Sequence, residues 1–297
     1  MKVLNFGSLN VDYVYKLPHV VMKGETISSS SLHTYPGGKG LNQSIALGKA
    51  GAEVYHAGAI GEDGRFLVDF LNESGVNTKF VKIFSDIKSG HAIIQNDDEG
   101  DNCILLYGGA NQAITKEQVD ETMAEFSEGD YLVLQNEINE LKYIVEKAHE
   151  KGMQIVLNPS PMNEKITDLP LEYINYFLLN EIEAGQILGR SVESPEEIIA
   201  ALAEVFPHAK IVLTLGGDGS IYSDGTKKIA QHIYKVETVD TTAAGDTFTG
   251  YFIAGELKGQ ATEVSMDMAA KAAAITVSRP GAGVAIPTLK EVEEFQL

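Results

Sequence analysis

Asp240-Thr-Thr-Ala-Ala-Gly-Asp-Thr-Phe248 places a turn of small residues directly before the helical run Thr247–Leu257. The backbone N–H groups of such a turn can converge on one point, and the N-terminus of the helix adds partial positive charge there. Asp246 stands where turn and helix meet, so its carboxylate can act as a base beside an anion cradle. This pairing suits transfer of a phosphoryl group to a hydroxyl, although an aspartate that only caps a buried helix fits the same stretch.

Composition and charge restrict the classes of protein to which this chain can belong. Its 297 residues suffice for one large α/β domain, or for one domain with a small appendage. A formal net charge of −19 and a pI near 4.7 argue against nucleic acid or an anionic membrane as a partner. The N-terminus is typical of a strand rather than a signal peptide, and no apolar stretch reaches membrane-spanning length. The sequence therefore predicts a cytoplasmic protein.

Cysteine and histidine usage excludes several kinds of site. Cys103 is the only cysteine, so neither an internal disulfide nor a cysteine-based metal site can form. It lies in the predicted strand Asn102–Tyr107 and is interpreted as a buried bystander thiol. The seven histidines show no metal-ligand spacing, and no Gly-x-Ser-x-Gly elbow supports serine hydrolysis.

Short apolar runs typical of strands alternate with helical segments along most of the chain. Strands rich in Val, Ile and Leu in this alternation predict a mostly parallel sheet covered on both faces, with ligands at the carboxyl ends of the strands. The predicted strands are Val3–Phe6, Val54–Ile60, Tyr131–Leu134, Gln154–Leu157, Tyr176–Leu179 and Ile211–Leu215. The predicted helices are Leu41–Ala50, Arg65–Ser74, Lys116–Phe126, Glu140–Lys151, Glu181–Leu188, Glu196–Val205, Thr247–Leu257 and Glu263–Val277.

Two segments break this alternation. Glu25–Tyr35 is rich in Ser and Thr, and His91–Gln95 and Asn102–Tyr107 flank the turn-forming stretch Asn96–Asp101. They predict a small, mainly antiparallel sheet inserted into the α/β body. A sheet covered on one face must hide the other, so we expect it to close over a substrate and to pair with a second copy of the chain. We assign residues 1–10, 37–90 and 108–297 to the α/β body, and residues 11–36 and 91–107 to a β lid.

Two turns near the N-terminus carry polar side chains. Gly37-Gly-Lys-Gly-Leu-Asn42 opens a helix, and its glycines let backbone approach a ligand while its lysine and asparagine offer donors. It lacks the spacing of a P-loop, and a plain helix start is the alternative. Gly7-Ser-Leu-Asn-Val-Asp12 follows the first strand, where Asn10 and Asp12 alternate with apolar neighbours. They can share one face and bind vicinal hydroxyls, or the stretch can be a turn with local side-chain-to-backbone bonds.

Two later strand ends carry polar motifs of the same kind. Asn180-Glu-Ile-Glu183 puts an amide and a carboxylate three apart at a helix start, which suits hydrated Mg²⁺ and its phosphates or a simple helix cap. Thr214-Leu-Gly-Gly-Asp-Gly219 lets a nucleotide lie against backbone, but Ser220–Ser223 is typical of a strand, so the dinucleotide fingerprint is absent. Glu137 is a single carboxylate just after a strand.

In order and over essentially the whole chain, these motifs resemble the PfkB carbohydrate kinase family, and ribokinases within it. The stretch 7–12 resembles the opening sugar-binding segment of the family. The stretch 37–42 resembles the first family signature in the Gly-Gly-Lys-Gly-x-Asn form typical of ribokinases, and Gly108-Gly-Ala-Asn-Gln112 is also similar to ribokinases. Asn180 to Glu183 resembles the Mg²⁺ and phosphate motif, and Asp240 to Asp246 resembles the highly specific second signature.

The resemblance implies a ribokinase-like three-layer αβα fold and an ATP-dependent kinase that phosphorylates D-ribose at its 5-hydroxyl. Asp246 would be the catalytic base, with an anion hole from the N–H groups of Ala243, Ala244, Gly245 and Asp246. The sugar would be bound by Asn10, Asp12, Gly38, Lys39, Gly40, Asn42, Glu137 and Asp246. ATP would be bound by Asn180, Glu183, Thr214, Gly216, Gly217, Asp218, Gly219 and Gly245. Mg²⁺ would be held through water by Glu183, and an activating K⁺ by Asp240, Thr242, Thr276, Arg279, Gly281 and Ala285, mostly through carbonyls.

Three positions depart from the family pattern. Ala285 stands where a hydroxyl residue is usual, which removes one side-chain oxygen from the K⁺ site. Ala270 stands near the adenine where His or Asn is common. Leu41 replaces the usual alanine of the first signature and is expected to tighten the sugar pocket.

Three other functions are alternatives for the same sequence patterns. The chain could phosphorylate another furanose-like sugar or a nucleoside, which a substrate panel would reveal. It could be a non-catalytic sugar sensor, against which the intact Asp246 and the Asn180-to-Glu183 motif argue. A nicotinamide-dependent oxidoreductase would also use a parallel sheet, but the missing fingerprint disfavours it.

Overall fold

The protein is described here from a computed structural model that covers residues 1–99, 101–192 and 194–296. Strands and helices alternate as expected. The strands are β1 (Val3–Phe6), β2 (Asn10–Lys16), β3 (Ser31–Gly37), β4 (Val54–Gly61), β5 (Asn77–Phe84), β6 (Gly90–Asn96), β7 (Asn102–Tyr107), β8 (Tyr131–Leu134), β9 (Gln154–Leu157), β10 (Tyr176–Asn180), β11 (Lys210–Thr214), β12 (Ser220–Ser223) and β13 (Lys228–Gln231). The helices are α1 (Lys39–Lys49), α2 (Arg65–Glu73), α3 (Lys116–Met123), α4 (Leu141–Glu150), α5 (Glu181–Leu188), α6 (Pro195–Val205), α7 (Ala244–Leu257), α8 (Thr262–Val277) and α9 (Leu289–Glu293).

The large sheet has the strand order β13-β12-β11-β10-β9-β8-β1-β4-β5. The strands from β11 to β5 are mutually parallel, and β12 and β13 add an antiparallel hairpin at one edge. The carboxyl ends of β1, β8, β10 and β11 therefore meet at one edge of the sheet, where the polar motifs follow them. The sequence did not predict β5 or β13. Both are edge strands with half-exposed, lysine-containing sequences, so they lack the apolar runs of the buried strands.

Side chains that alternate along the strands build two apolar cores, one on each face of the sheet. Val133 and Val212 face one core, which is closed by α1, α2, α7, α8 and α9. Leu132 and Leu213 face the other, which is closed by α3, α4, α5 and α6. The fold is thus the predicted three-layer αβα arrangement around a mostly parallel sheet.

The second, small sheet has the order β3-β2-β6-β7. Its β2–β3 and β6–β7 pairs are antiparallel, and β2 runs parallel to β6. The predicted strand 25–35 begins only at Ser31. The turn between β6 and β7 is closed by Asp97, whose Oδ1 accepts from the N–H groups of Glu99 and Asp101 at 3.0 and 2.8 Å. This agrees with the hairpin that the sequence predicts.

Strand β7 lies at the edge of the small sheet, and all six of its residues are exposed. Cys103 belongs to it and is exposed, so the prediction of a buried thiol was wrong. The apolar residues of this strand indicate burial in the sequence, but no element of the described chain covers them. Across the described residues, no helix is both long enough and apolar enough to cross a membrane.

Candidate active site

The N-terminus of α7 lies at the carboxyl edge of the large sheet. The helix begins at Ala244, three residues earlier than predicted, after Ala243 in a left-handed conformation with a φ of 62°. The expected anion hole is therefore the first turn of the helix rather than a turn before it. The N–H of Ala244 lies 3.3 Å from the carbonyl of Thr241. Within the described residues the N–H groups of Gly245 and Asp246 have no acceptor, which leaves them available to an anion.

Asp246 is 6% exposed and is held by three side chains of α1. Its Oδ2 accepts from Asn42 Nδ2 at 3.1 Å, and its Oδ1 accepts from Gln43 Nε2 at 2.9 Å. The Nζ of Lys39 lies 3.9 Å from Oδ1, and the Asp246 carboxylate raises the pKa of that lysine. The N-cap of α7 is Ala243 rather than Asp246, so the alternative interpretation of Asp246 as a capping aspartate is wrong. The sequence analysis did not predict a role for Gln43. Its position offered a signal, because residues three and four apart on a helix share a face, and Gln43 stands four residues after Lys39.

A second carboxylate, Glu137, also contacts the N-terminus of α1. Its Oε2 accepts a short hydrogen bond from the Ser8 hydroxyl and another from the Lys39 N–H at 2.9 Å. Burial raises the pKa of Glu137, and these hydrogen bonds oppose that shift. Gly40 has to be glycine here because a Cβ would collide with the backbone N of Ser8.

Asp12 completes this group of carboxylates. Burial, and next the nearby charge of Glu137, raise its pKa from 3.8 to about 7. Asp12 lies on β2 opposite Tyr35 of β3, and a Cβ on Gly37 would collide with the Asp12 carboxylate. The structure thus brings together two acids that are 125 residues apart in the sequence, beside the motif that opens α1.

Asn10 begins β2 at the junction of the two sheets. Its Oδ1 accepts from Asn111 Nδ2 at 2.7 Å. Asn111 also accepts from the Leu9 N–H at 3.0 Å, which fixes the orientation of its amide. A Cβ on Gly90 would collide with both asparagine side chains. The stretch 108–112 resembles ribokinases in sequence, but no role was predicted for Asn111. In the structure Asn111 orients the side chain of Asn10.

A cavity of about 210 Å³ opens in front of the first turn of α7. Asn180 and Glu183 line it but also form a capping box, in which Asn180 Oδ1 accepts from the Glu183 N–H at 2.9 Å and Glu183 Oε2 from the Asn180 N–H at 3.0 Å. The helix-cap reading of this motif is therefore confirmed. Glu183 Oε1 has no hydrogen-bond partner among the described residues, which leaves that oxygen available toward the cavity. The predicted residues that line this cavity are Lys39, Asn180, Glu183, Thr214, Ala243, Ala244, Gly245 and Asp246.

A larger cleft of about 610 Å³ adjoins this cavity, and both are lined by Thr214, Ala244 and Gly245. Its walls are mostly apolar and include Phe248, Ala270, Ala273, Ala274 and Val277. Of the glycine-rich turn, the structure places Gly216, Gly217 and Gly219 along the cleft, but not Asp218, which is exposed. Residues 231–236, which run from the end of β13 toward the second signature, form another wall that the sequence did not predict. The size and shape of the two cavities suit an elongated ligand with a bulky end and a charged end.

The residues predicted to hold K⁺ come from two segments that hydrogen bonds join. Asp240 accepts from the Thr242 N–H at 2.9 Å and the Gly281 N–H at 3.1 Å. Partial burial opposes the shift, but these hydrogen bonds hold the pKa of Asp240 below its usual value. No cationic side chain pairs with Asp240 among the described residues. The hydroxyl of Thr276 bonds instead to the Ala272 carbonyl at 2.9 Å, and the guanidinium of Arg279 pairs with a glutamate at 2.7 Å.

The three departures from the family pattern differ in their placement. Leu41 is fully buried in the apolar core and exposes no surface, so the expectation that it tightens the sugar pocket is not supported. Ala270 does line the large cleft. Ala285 is buried in the short turn 283–285. Among the described residues there is no group of three or more His, Cys, Asp and Glu that could hold a metal.

Comparison with known proteins gives concordant results. A profile of the pfkB family carbohydrate kinases matches residues 1–289. The chain is 34% identical to the ribokinase of Bacillus subtilis over 293 residues, which cover 97% of each chain. The solved structure of Arabidopsis thaliana ribokinase complexed with ribose and ATP matches with a TM-score of 0.89 and 29% identity over 99% of both chains. Ribokinase from Cryptococcus neoformans in complex with ADP matches with a TM-score of 0.84 and 32% identity, again over 99% of both chains.

Proposed function

Because the chain belongs to the pfkB family of carbohydrate kinases, we propose that it transfers the γ-phosphoryl group of ATP to the 5-hydroxyl of D-ribose. It is a phosphotransferase that acts on a sugar hydroxyl. The observation that carries the proposal is the placement of Asp246. A buried carboxylate lies in the first turn of a 14-residue helix that borders the smaller cavity, and two N–H groups of this turn have no acceptor among the described residues.

Asp246 is the general base. As the sugar oxygen attacks phosphorus, the hydroxyl proton passes to the Asp246 carboxylate and the bond from phosphorus to the ADP oxygen breaks. Products are ADP and ribose 5-phosphate. The Nζ of Lys39 lies 3.9 Å from Asp246 and lines the same cavity, where it can also face phosphate oxygens.

The first turn of α7 supplies the anion hole. Negative charge on the transferring phosphoryl group is met by the N–H groups of Gly245 and Asp246 and by the positive end of the helix dipole. A Cβ built on Gly245 would meet nothing within 4 Å, which is consistent with room for a ligand at this position. The apolar cleft beside Ala270 receives the adenine, and the glycine-rich turn after β11 lies along the nucleotide.

The carboxylates and amides around the start of α1 bind the sugar. Asp12 and Glu137 offer acceptors for vicinal hydroxyls, and Asn10 and Asn42 can each donate and accept. The small sheet begins at Asn10 and closes over the sugar as a lid, which excludes water that would otherwise compete as phosphoryl acceptor.

Oxygen ligands for two cations lie near the position that we propose for the ATP phosphates. Mg²⁺ would be held through water by Glu183, and when bound it neutralises phosphate charge. A monovalent cation such as K⁺ would be held by the carboxylate of Asp240, which has no cationic partner among the described residues, and by the carbonyls of Thr242, Thr276, Arg279, Gly281 and Ala285. When bound it adds positive charge beside the N-terminus of α7. With no hydroxyl at Ala285 and with the Thr276 hydroxyl bonded elsewhere, this site relies on the Asp240 carboxylate more than on side-chain hydroxyls.

A second copy of the chain covers the exposed side of the small sheet. Ile104, Leu105 and Leu106 of edge strand β7 are 53%, 65% and 54% exposed. An unpaired apolar edge strand is a surface that proteins bury by pairing with another chain. A homodimer through the small sheet would bury it and would steady the lid.

The test is a coupled assay of ADP release with D-ribose and ATP, run with and without K⁺. We expect ribose-dependent ADP release, none with 5-deoxy-D-ribose, and weaker activity without K⁺. Asp246→Asn should lower kcat by on the order of 10²-fold or more while sugar binding survives. The matched control is Asp69→Asn, an exposed position on α2, which should leave kcat unchanged.

Other outcomes would point to the rival functions. Near-normal turnover by Asp246→Asn would show that this residue is not the base. A preference for adenosine or fructose 6-phosphate would reject ribose as the substrate but keep the kinase. Tight sugar binding without ADP release from any sugar would indicate a sensor.

A further inference from the structure

We propose that Gln43 is a positioning residue for the base, fixing Asp246 through Oδ1 so that Oδ2 takes the proton from the sugar. This inference rests on the proposed function, because it assumes that Asp246 is the base. Gln43 is completely buried and donates both of its amide hydrogens, to Asp246 Oδ1 at 2.9 Å and to Asn158 Oδ1 at 3.2 Å. Its Oε1 accepts from Gln135 Nε2 at 2.6 Å.

The orientation of the Gln43 amide is determined from both ends. A flipped amide would turn its oxygen toward the Asp246 carboxylate and its NH₂ toward the NH₂ of Gln135, so both contacts would become repulsive. Gln135 is itself fixed, because its Nε2 also donates to Asn5 Oδ1 at 3.0 Å. Only the orientation with a donor toward Asp246 satisfies this network.

The network ends on backbone, which makes it rigid. Asn5 Nδ2 donates to the Gly40 carbonyl at 2.8 Å, and Asn158 Nδ2 donates to the Leu178 carbonyl at 2.9 Å. These carbonyls belong to α1 and β10, which are part of the α/β body. Gln135 Oε1 has no partner among the described residues, but both donors and the acceptor of the Gln43 amide are paired. A buried amide that is hydrogen-bonded on all sides is restricted to one geometry. Gln43 therefore connects the base to the sheet without adding a charge beside it.

The two carboxylate oxygens of Asp246 thereby acquire different environments. Oδ1 accepts from Gln43, which is buried at 0% exposure and has no free hydrogen left for a substrate, and it also lies 3.9 Å from the Nζ of Lys39. Oδ2 faces Asn42, one of the residues that we place around the sugar. A sugar hydroxyl can thus reach Oδ2 while Gln43 keeps the plane of the carboxyl group constant, as productive proton transfer requires.

The experiment compares Gln43→Met with Gln118→Met. Gln118 is another buried glutamine, 1% exposed, which donates to the Gly58 carbonyl at 2.8 Å but has no contact with Asp246. Gln43→Met should lower kcat by on the order of tenfold, the size expected for losing one hydrogen bond to a charged group, with the KM for ribose changed less than twofold. Gln118→Met should lower the melting temperature but leave kcat unchanged.

The Asp246→Asn background separates this inference from the proposed function. If Gln43 acts through the base, adding Gln43→Met to Asp246→Asn should cause no further loss of kcat. An undiminished tenfold loss in that background, or an unchanged kcat in the single variant, would overturn the inference while leaving Asp246 as the base. Near-normal turnover by Asp246→Asn alone would instead overturn the proposed function.

A second variant covers the case in which Gln43→Met does not fold. Gln43→Glu keeps the shape of the side chain and the acceptor for Gln135, but it turns an oxygen toward Asp246. We expect a loss of kcat at pH 8 at least as large as for Gln43→Met, and retention of wild-type kcat by this variant would also refute the positioning role.

Discussion

We expect Asp12 to make ribose binding depend on pH close to neutrality. In the free protein, burial and the charge of Glu137 raise the pKa of Asp12 from 3.8 to about 7. Sugar hydroxyls donate hydrogen bonds to a carboxylate, so ribose favours the ionised form of Asp12 and lowers its pKa in the complex. Binding should therefore strengthen as the pH rises through 7 and weaken as the pH falls below it.

The size of the effect follows from the fraction of Asp12 that is ionised. With a pKa of about 7, roughly nine tenths of the free protein carries the charged form at pH 8 and roughly one tenth at pH 6. The Kd for ribose, measured by isothermal titration calorimetry without nucleotide, should thus rise about tenfold from pH 8 to pH 6. Proton release should accompany binding at pH 6, and buffers of different ionisation enthalpy would reveal it.

Asp12→Asn is the matched variant, since the amide has the same shape and no charge to lose. Its Kd should be weaker at pH 8 but should no longer change tenfold between pH 8 and pH 6. If the wild-type Kd were flat over this range, or if Asp12→Asn kept the full dependence, the assignment of this titration to Asp12 would be refuted. Glu137, whose pKa burial also raises, is the group that a persisting dependence would implicate.

The raised pKa of Asp12 also makes the folded protein more stable at low pH than at high pH. An acid whose pKa is lowered on folding has the opposite effect. Folded Asp12 retains its proton at a pH where the unfolded chain has released it, so its contribution is fully present below about pH 3.8 and is lost as the pH rises through about 7. Asp12→Asn should therefore raise the free energy of unfolding at pH 8, by at most about 4 kcal/mol, and change it little at pH 3.5. Urea unfolding of the ligand-free protein measures this difference.

Three further outcomes are expected. Gly40→Ala should destabilise the protein by about 2 kcal/mol or more in thermal unfolding, because its Cβ collides with the backbone of Ser8; an unchanged melting temperature would contradict the tight turn. Asp240→Asn should raise the K⁺ concentration for half-maximal activity by on the order of tenfold, since the site loses its only carboxylate, and an unchanged K⁺ response would place the cation elsewhere. Leu105→Glu should convert a dimer to a monomer in analytical ultracentrifugation at micromolar concentration, and a wild-type monomer under the same conditions would refute the dimer.

Local sequence patterns predicted the large-scale architecture well. Apolar runs located the buried parallel strands, since a strand covered on both faces must be apolar along its whole length. The same patterns failed for β5 and β13, whose edge positions tolerate polar residues, and for Cys103, whose apolar strand is not covered by any of the described residues. Sequence patterns indicate whether a residue favours burial or exposure. In these segments the structure does not follow that preference.

The candidate site was also predicted only in part. Turn chemistry and helix-start signals identified Asp246 and the motif that opens α1, because capping and backbone freedom are properties of neighbouring residues. The helix boundary at Ala244 and the capping box of Asn180 with Glu183 needed coordinates, since either of two local structures satisfied each stretch. The wall at residues 231–236 carried no motif at all.

Local patterns, together with the family resemblance they carry, predicted a three-layer α/β kinase with a carboxylate at a helix start and carboxylates after its strands. Which side chains meet became known only from the packing of distant elements. Gln43 lies 203 residues from Asp246, and the charge of Glu137 acts on Asp12 across 125 residues. Periodicity and turn chemistry extend over a few residues, whereas hydrogen-bond partners and shifted pKa values depend on how distant elements pack and on how much water that packing removes.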